Sequence, residues 1–465
     1  MSATFSRLID NDFLELYLPY SVMRGVSWSK LAAAGLPEAT KPETRVESKC
    51  SQERFASVSV IISEFDAFSG DLTFLKRKGL SNRKNNCFLN SVIQSLLSTP
   101  ISSFLSFLLE KITEEDLIAL KESVPLLYCL LRIFQQITIP DDSASPQSTR
   151  DKAEPKEEEF QVVSHKKKVS DEIVKAKAVS SSTRSSKGSS AVYSQEIEDL
   201  LDHFFRLHGD GSKGSQQDAA EFLQFLLNQL HEELLRIVDD SSSASALIKE
   251  EKDLIGWSEV IGSKHREGII TAKLDFKSSI ISTVFGSRAR ICLRRQGSKD
   301  SVSYQPFFCL PLSIETQDFE LGSLEEALSN FQSKIPILGV KSEQSGRIVK
   351  ASRELILEQV GQVLVFQLKR FAFSTRTLKP YKIERFIRFP MNLDVLIRKV
   401  VKTSFYLQSV IIHHGSSMSR GHYTTLCRKA DDDWIHFDDH RVAQVSSDFV
   451  LKQQAYILIY SRTTN

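Results

Sequence analysis

The chain has 465 residues, 41% of them hydrophobic and 25% charged, and a formal net charge of +2. That is ordinary globular composition, with length for a few domains of roughly 150 residues each, and the near-balanced charge argues against a dedicated nucleic-acid binder. No apolar run is long enough for a transmembrane helix. Arg7, Asp10, Asp12 and Glu15 exclude an apolar signal-peptide core at the start. The cysteines at 50, 87, 129, 292, 309 and 427 follow no pattern. They read as reduced thiols of the cytosol or nucleus, not as a disulfide framework.

Residues 1–75 read as an N-terminal arm, mostly extended and partly disordered, with an apolar patch at Phe13–Leu18 and a polar stretch over 34–54. Gly79–Leu97 is the stretch that organises the chain. A polar, turn-rich run ends at Asn86, Cys87 follows, and Phe88, Leu89, Val92, Ile93, Leu96 and Leu97 repeat at helical spacing. With Asn85 or Asn86 as N-cap, Cys87 falls in the first turn, where unpaired N–H groups and the helix dipole favour a thiolate. The competing reading is a small buried core residue.

Residues 104–139 have helical periodicity, interrupted at Pro125 and stopped by Pro140. Residues 141–192 hold Ser runs, an acidic cluster at 154–159 and a basic one at 166–168, with almost no aromatics. Such a stretch cannot bury enough apolar surface to offset its chain entropy, so a disordered insertion is expected. Order returns at Tyr193 with a face of Ile197, Leu200, Leu201, Phe204 and Phe205. Ser215 and Asp218 have capping-box spacing before another apolar helix, and helix-start electrostatics alone would explain Asp218.

Residues 257–315 read as several strands, 321–350 as a short helix and a loop, and Gly361–Phe373 as a strongly apolar strand. Tyr406–His414, Gly421–Thr425 and Trp434–Phe437 read as three further strands. If the last two form a hairpin centred near residue 431, their paired numbers sum to about 862. That register sets His422 opposite Asp438, Asp439 and His440, so ordinary hairpin geometry brings a carboxylate beside an imidazole. His413, His414, His436 and His440 are weaker candidates, since a lone histidine is more often structural.

GLSNRKNNCFLNSVIQSLL, QQDAAEFL, GQVLVFQLKRFAF, RGHYTT and WIHFDDHRV together resemble the signatures of the ubiquitin-specific proteases. One departure is the Asn85-Asn86 before the cysteine, where the family usually has Gly-Asn/Ala-Thr. The resemblance implies an α+β, papain-like cysteine protease fold with thumb, palm and fingers over residues 76–462, interrupted by 141–192. It implies Cys87 as nucleophile, His422 as base, Asp438 as its orienter, and Asn82 as the side-chain amide of the oxyanion hole, with the Cys87 N–H beside it. It further implies substrate contacts at Asp218, Gln217, Gly421 and Tyr423, and Asp439 as a neighbouring acid that orders the site.

The reaction implied is hydrolysis after the C-terminal glycine of ubiquitin, with ubiquitin and ubiquitinated proteins as partners, no cofactor and a monomeric enzyme. VFGSRARICLRRQ resembles the start of the fingers, where many members bind zinc through two Cys-x-x-Cys pairs. Here Cys292 is followed by Arg295 and Cys309 stands alone, so no structural zinc is expected. Processing of another ubiquitin-like tag, an inactive ubiquitin-binding module, and an interaction protein acting through the 141–192 insertion remain open alternatives.

Overall fold

The computed structural model describes residues 49–65, 75–139, 191–208, 214–242, 259–261, 267–273, 275–297, 300–316, 320–340, 346–374, 379–417, 420–430 and 433–463. All of the proposed insertion but Ala191 and Val192 lies outside these residues, as does most of the arm.

The first half builds a helical lobe: α1 (Lys49–Glu64), α2 (Cys87–Leu96), α3 (Ile101–Lys111), α4 (Glu114–Ser123), α5 (Pro125–Ile137), α6 (Gln195–His208) and α7 (Ala219–Ser242). Over its own span, α1 corrects the expectation of an extended arm. Val58 is buried and Ile61, Ile62 and Phe65 pack on the same core. These residues recur at helical spacing, and that period outweighs the polar composition on which the extended reading rested. Phe65 meets Phe104 of α3 edge-on, with ring centroids 5.3 Å apart.

Pro125 starts α5, where a missing N–H costs nothing. Two N–H groups of that first turn are capped from α7: Glu233, itself buried, accepts from Leu126 (3.0 Å) and Leu127 (2.8 Å).

The second half is mostly strand: β1 (Glu259–Ile261), β2 (Glu267–Lys273), β3 (Ser287–Arg295), β4 (Asp300–Phe307), β5 (Leu310–Ser313), β6 (Lys334–Ile337), β7 (Ala351–Gln359), β8 (Val363–Lys369), β9 (Phe371–Ser374), β10 (Lys379–Lys382), β11 (Asn392–Ile397), β12 (Val401–Ser417), β13 (Arg420–Arg428), β14 (Asp433–Asp438), β15 (Arg441–Ser446) and β16 (Ala455–Arg462). Three short helices interrupt it: α8 (Ile280–Phe285), α9 (Leu324–Phe331) and α10 (Ser447–Leu451).

The larger sheet runs β15-β14-β13-β12-β16-β8-β5, with β11 also on β12. Its central strands are buried on both faces, which is why they read as unbroken apolar runs. Val363, Val365, Ile457 and Ile459 face the helical lobe. Their neighbours Leu364, Phe366, Leu458 and Tyr460 belong to a second core on the far side, with α9. The smaller sheet runs β1-β2-β4-β3-β7-β6 and is half-exposed along most of β3 and β4. Helical lobe, larger sheet and smaller sheet correspond to the thumb, palm and fingers expected. Cys292 is buried within β3, in register with Val302 and Glu354, and Cys309 is buried between β4 and β5.

Candidate active site

Cys87 is the first residue of α2, 3% exposed. The helix lies across β13. Ser95 and Thr425 join their hydroxyls at 2.7 Å, and Arg77 donates to the Gln94 carbonyl at 2.9 Å while lying over the Phe437 ring. Asn86 occupies the N-cap position but does not cap. Its side chain turns back, accepting from Arg83 N–H (3.1 Å) and donating to Asn90 (3.3 Å), so it ties the preceding loop together. Asn85 takes φ 56°, a left-handed conformation that asparagine tolerates better than most residues.

β13 and β14 pair with Thr425 opposite Phe437, the register the hairpin arithmetic predicts. Beyond that pair the strands diverge. His422 Nε2 meets Asp438 Oδ1 at 2.6 Å, whereas Asp439 Oδ2 is 3.9 Å away. The two acids part because β14 ends at Asp438 and a two-residue turn, with Asp439 at φ 50°, leads into β15.

The ring also contacts the Cys87 thiol, and Nδ1 is the nitrogen left for it. That contact raises His422 to about 9, against the effect of burial and together with Asp438. Burial pushes the Asp438 carboxyl up, but the His422 bond outweighs it and holds the acid below the usual range. His414 stacks beside His422 at 6.3 Å and pairs with Thr424 at 2.9 Å; burial, then His422, keeps it below the ordinary histidine range.

Asp439 braces the other side. Its carboxylate accepts from Asn82 Nδ2 (2.9 Å) and Asn90 Nδ2 (2.8 Å), and its carbonyl from Leu80 N–H (3.0 Å). Gly79 makes this approach possible, since a Cβ there would lie 2.5 Å from the Asp439 carbonyl oxygen. Asn82, expected at the oxyanion hole, thus spends one of its two amide hydrogens on Asp439, while its Oδ1 accepts from Asn86 N–H at 3.1 Å. Val192, where the chain resumes, bonds to Gly79 and Ser81 and supports the same loop.

The expected substrate contacts divide. Asp218, not Ser215, caps α7: Oδ1 accepts from Ala220 N–H at 2.7 Å. Tyr456 donates to the same carboxylate, which burial pushes above the usual range despite these bonds. Tyr423 is 1% exposed and packs between His413 and Tyr456, so it is a core residue and not a surface contact. Strand alternation explains this correction: if His422 faces the cleft, its neighbour faces the core. Gln217 turns to Ser215 at 2.6 Å.

Gln216 instead spans the cleft. Its Oε1 accepts from Gly421 N–H at 2.7 Å, and its Nε2 lies 4.0 Å from Cys87 Sγ. No spacing rule distinguishes two glutamines in a loop, which is why Gln216 escapes a sequence reading. Asn90 escapes for a different reason: its partner, Asp439, is 349 positions away. Among the described residues, His422, Asp438 and Asp439 also form the one His/Cys/Asp/Glu group close enough to hold a metal, but two of them are committed to one another and Asp439 to two amides.

Fold and site together are those of the papain-like class, with a cysteine at a helix start on one lobe facing an imidazole–carboxylate pair on a sheet. The chain belongs to the ubiquitin carboxyl-terminal hydrolase family, whose sequence profile it matches over residues 78–460. It is 27% identical to ubiquitin carboxyl-terminal hydrolase 24 of Arabidopsis thaliana over 398 residues, covering 83% of this chain and 64% of that one. It is 34% identical to ubiquitin hydrolase B of Dictyostelium discoideum over 258 residues, 53% of this chain and 55% of that. Ubiquitin carboxyl-terminal hydrolase 10 of Xenopus tropicalis is 31% identical over 283 residues, 54% of this chain and 34% of that. The chain therefore spans from about a third to just under two thirds of these curated relatives. The SAGA module of Ubp8, Sgf11, Sus1 and Sgf73 bound to monoubiquitin shares the fold, with TM-score 0.57 at 20% identity, covering 88% of this chain and 74% of that one.

Proposed function

We propose that this chain is a deubiquitinating cysteine protease that hydrolyses the isopeptide or peptide bond after the C-terminal glycine of ubiquitin. The observation that carries the reading is the 2.6 Å bond from His422 to Asp438, with Cys87 on the other side of the same ring, in a chain of this family. His422 takes the proton of the Cys87 thiol, and Sγ attacks the scissile carbonyl carbon as the carbonyl electron pair moves onto oxygen. Collapse of that oxyanion breaks the C–N bond, and His422, protonated up to about pH 9, gives its proton to the leaving amine. Water, deprotonated by His422, then attacks the thioester carbon and releases Cys87. Asp438 fixes the ring orientation and stabilises its positive form throughout.

Ubiquitin and ubiquitin-modified proteins are the partners on this reading, in the cytoplasm or nucleus. The test uses ubiquitin carrying a thiol-reactive C-terminus. One adduct is expected, mapped by mass spectrometry to Cys87, with turnover abolished in Cys87→Ser at an unchanged melting temperature. An adduct on another cysteine, or retained turnover in that variant, refutes the assignment.

A further inference from the structure

We propose that Gln216 is a further catalytic residue, whose Nε2 amide donates to the oxyanion formed when Cys87 attacks; the inference rests on the hydrolase reading above. The geometry that carries it has three parts.

The first is position. Nε2 lies 4.0 Å from Cys87 Sγ. The oxyanion forms one bond beyond the carbon attached to sulfur, and an effective donor stands roughly 2.7–3.1 Å from that oxygen. An amide nitrogen about 4 Å from the sulfur meets that requirement without moving the loop.

The second is orientation. A side-chain amide presents either its oxygen or its nitrogen, and only the nitrogen can stabilise an anion. Here the choice is imposed from outside. Gly421 N–H donates to Oε1 at 2.7 Å, which turns the NH₂ group toward Cys87. The backbone at Gly421 reaches that place because it carries no side chain: a Cβ would come within 2.2 Å of His413 Nε2 and 2.5 Å of the His414 carbonyl oxygen. The donor is therefore aimed before substrate arrives, which is the condition under which such a group stabilises a transition state most.

The third is the occupation of the alternative. Asn82 has committed one amide hydrogen to the Asp439 carboxylate at 2.9 Å. Its remaining hydrogen, the Cys87 N–H and the Gln216 amide then share the developing charge. Gln216 comes from the loop before α7, Asn82 from the loop before α2, so the oxyanion is held by two separate segments of the helical lobe.

The experiment compares wild type, Gln216→Ala and Gln216→Glu on ubiquitin carrying a fluorogenic C-terminal leaving group, alongside binding of aldehyde-terminated ubiquitin. The aldehyde adds to Cys87 and mimics the tetrahedral oxygen. For Gln216→Ala, kcat is expected to fall about 10²-fold with KM little changed, the magnitude found for loss of one oxyanion donor. Aldehyde affinity should fall in parallel, while unmodified ubiquitin binds equally well in a Cys87→Ala background. Gln216→Glu keeps the shape but presents an acceptor, so it should lose at least as much. Melting temperatures of both variants serve as the folding control. Retained or increased kcat in Gln216→Ala overturns the assignment and makes the residue a latch over the nucleophile. Loss of kcat with unchanged aldehyde affinity, or a rise in KM alone, overturns it in favour of positioning or ground-state binding. A wild-type chain that neither turns over nor captures the aldehyde refutes the hydrolase reading itself, a result distinct from all of these.

Discussion

The two sheets of this molecule are built on different physics. In the larger sheet, seven of the eight residues of β16 are buried, and its neighbours β8 and β12 feed one core on each face. In the smaller sheet, seven of the eight residues of β4 are half-exposed, and a charge network covers much of the rest. Arg294 reaches Asp300 (3.3 Å) and Glu354 (3.2 Å), Lys399 reaches Glu354 (2.5 Å), and Arg398 reaches Glu358 (3.0 Å). Close packing fixes atoms to a fraction of an ångström, whereas half-exposed ion pairs add little stability and tolerate rearrangement. The sheet that must hold His422 against Cys87 is the packed one. The sheet that carries none of the site residues is the adaptable one.

The sharpest test of the first half of that comparison is Asp438→Ala. The acid ends a packed strand, and without it the His422 ring loses its anchor. kcat should fall by about 10⁴-fold, with the Asn variant losing less because an amide oxygen still accepts the N–H bond. Steady-state kinetics check this, together with ubiquitin affinity in a Cys87→Ala background, which should stay constant. Near-normal turnover would show that the packed sheet need not position a carboxylate at all.

Phe366→Ala addresses packing directly. The ring is fully buried in the second core, and its loss should cost about 3–5 kcal/mol by chemical denaturation. A cost below about 1 kcal/mol would mean that the larger sheet is no stiffer than the smaller.

The helical lobe supplies an intermediate case in Glu233. Burial raises its pKa to about 7 despite the two backbone N–H bonds it accepts. The folded state therefore holds the proton more tightly than the unfolded chain. This contribution to stability is full below the ordinary carboxylate range and is lost as pH rises through 7, at up to about 1.4 kcal/mol per pH unit. Glu233→Gln should flatten the melting temperature between about pH 4.5 and 7; an unchanged slope would exclude Glu233 as its source.

The smallest effect belongs to the smaller sheet. Glu354→Ala breaks contacts to Arg294 and Lys399, yet should cost less than about 1 kcal/mol, and less still at high salt. A cost comparable to that of Phe366→Ala would erase the distinction between the sheets.

How far the sequence reveals this arrangement depends on whether a contact is carried by a period or by tertiary closure. The pairing of β13 with β14 follows from turn position and strand alternation, so the carboxylate beside His422 is legible in advance. The same alternation, applied one residue further, would have assigned Tyr423 to the core. Cys87 is legible because apolar spacing places the helix start. The helix at Lys49–Glu64 is legible only if period is weighed above composition. Gln216, Asn90 and Gly79 carry no periodic signal. Their roles exist only once loops from opposite ends of the chain meet.

That meeting has a consequence in time. The bond from Asn82 to Asp439 joins residues 357 positions apart. A ribosome adds roughly 5–20 residues per second, so on the order of tens of seconds separate synthesis of the thiol from synthesis of its base and the acid that braces its loop. Throughout that interval the growing chain carries Cys87 without the base His422. β13 and β14, made after the helix that carries the thiol, complete the site, so this order of synthesis itself keeps the nascent chain silent.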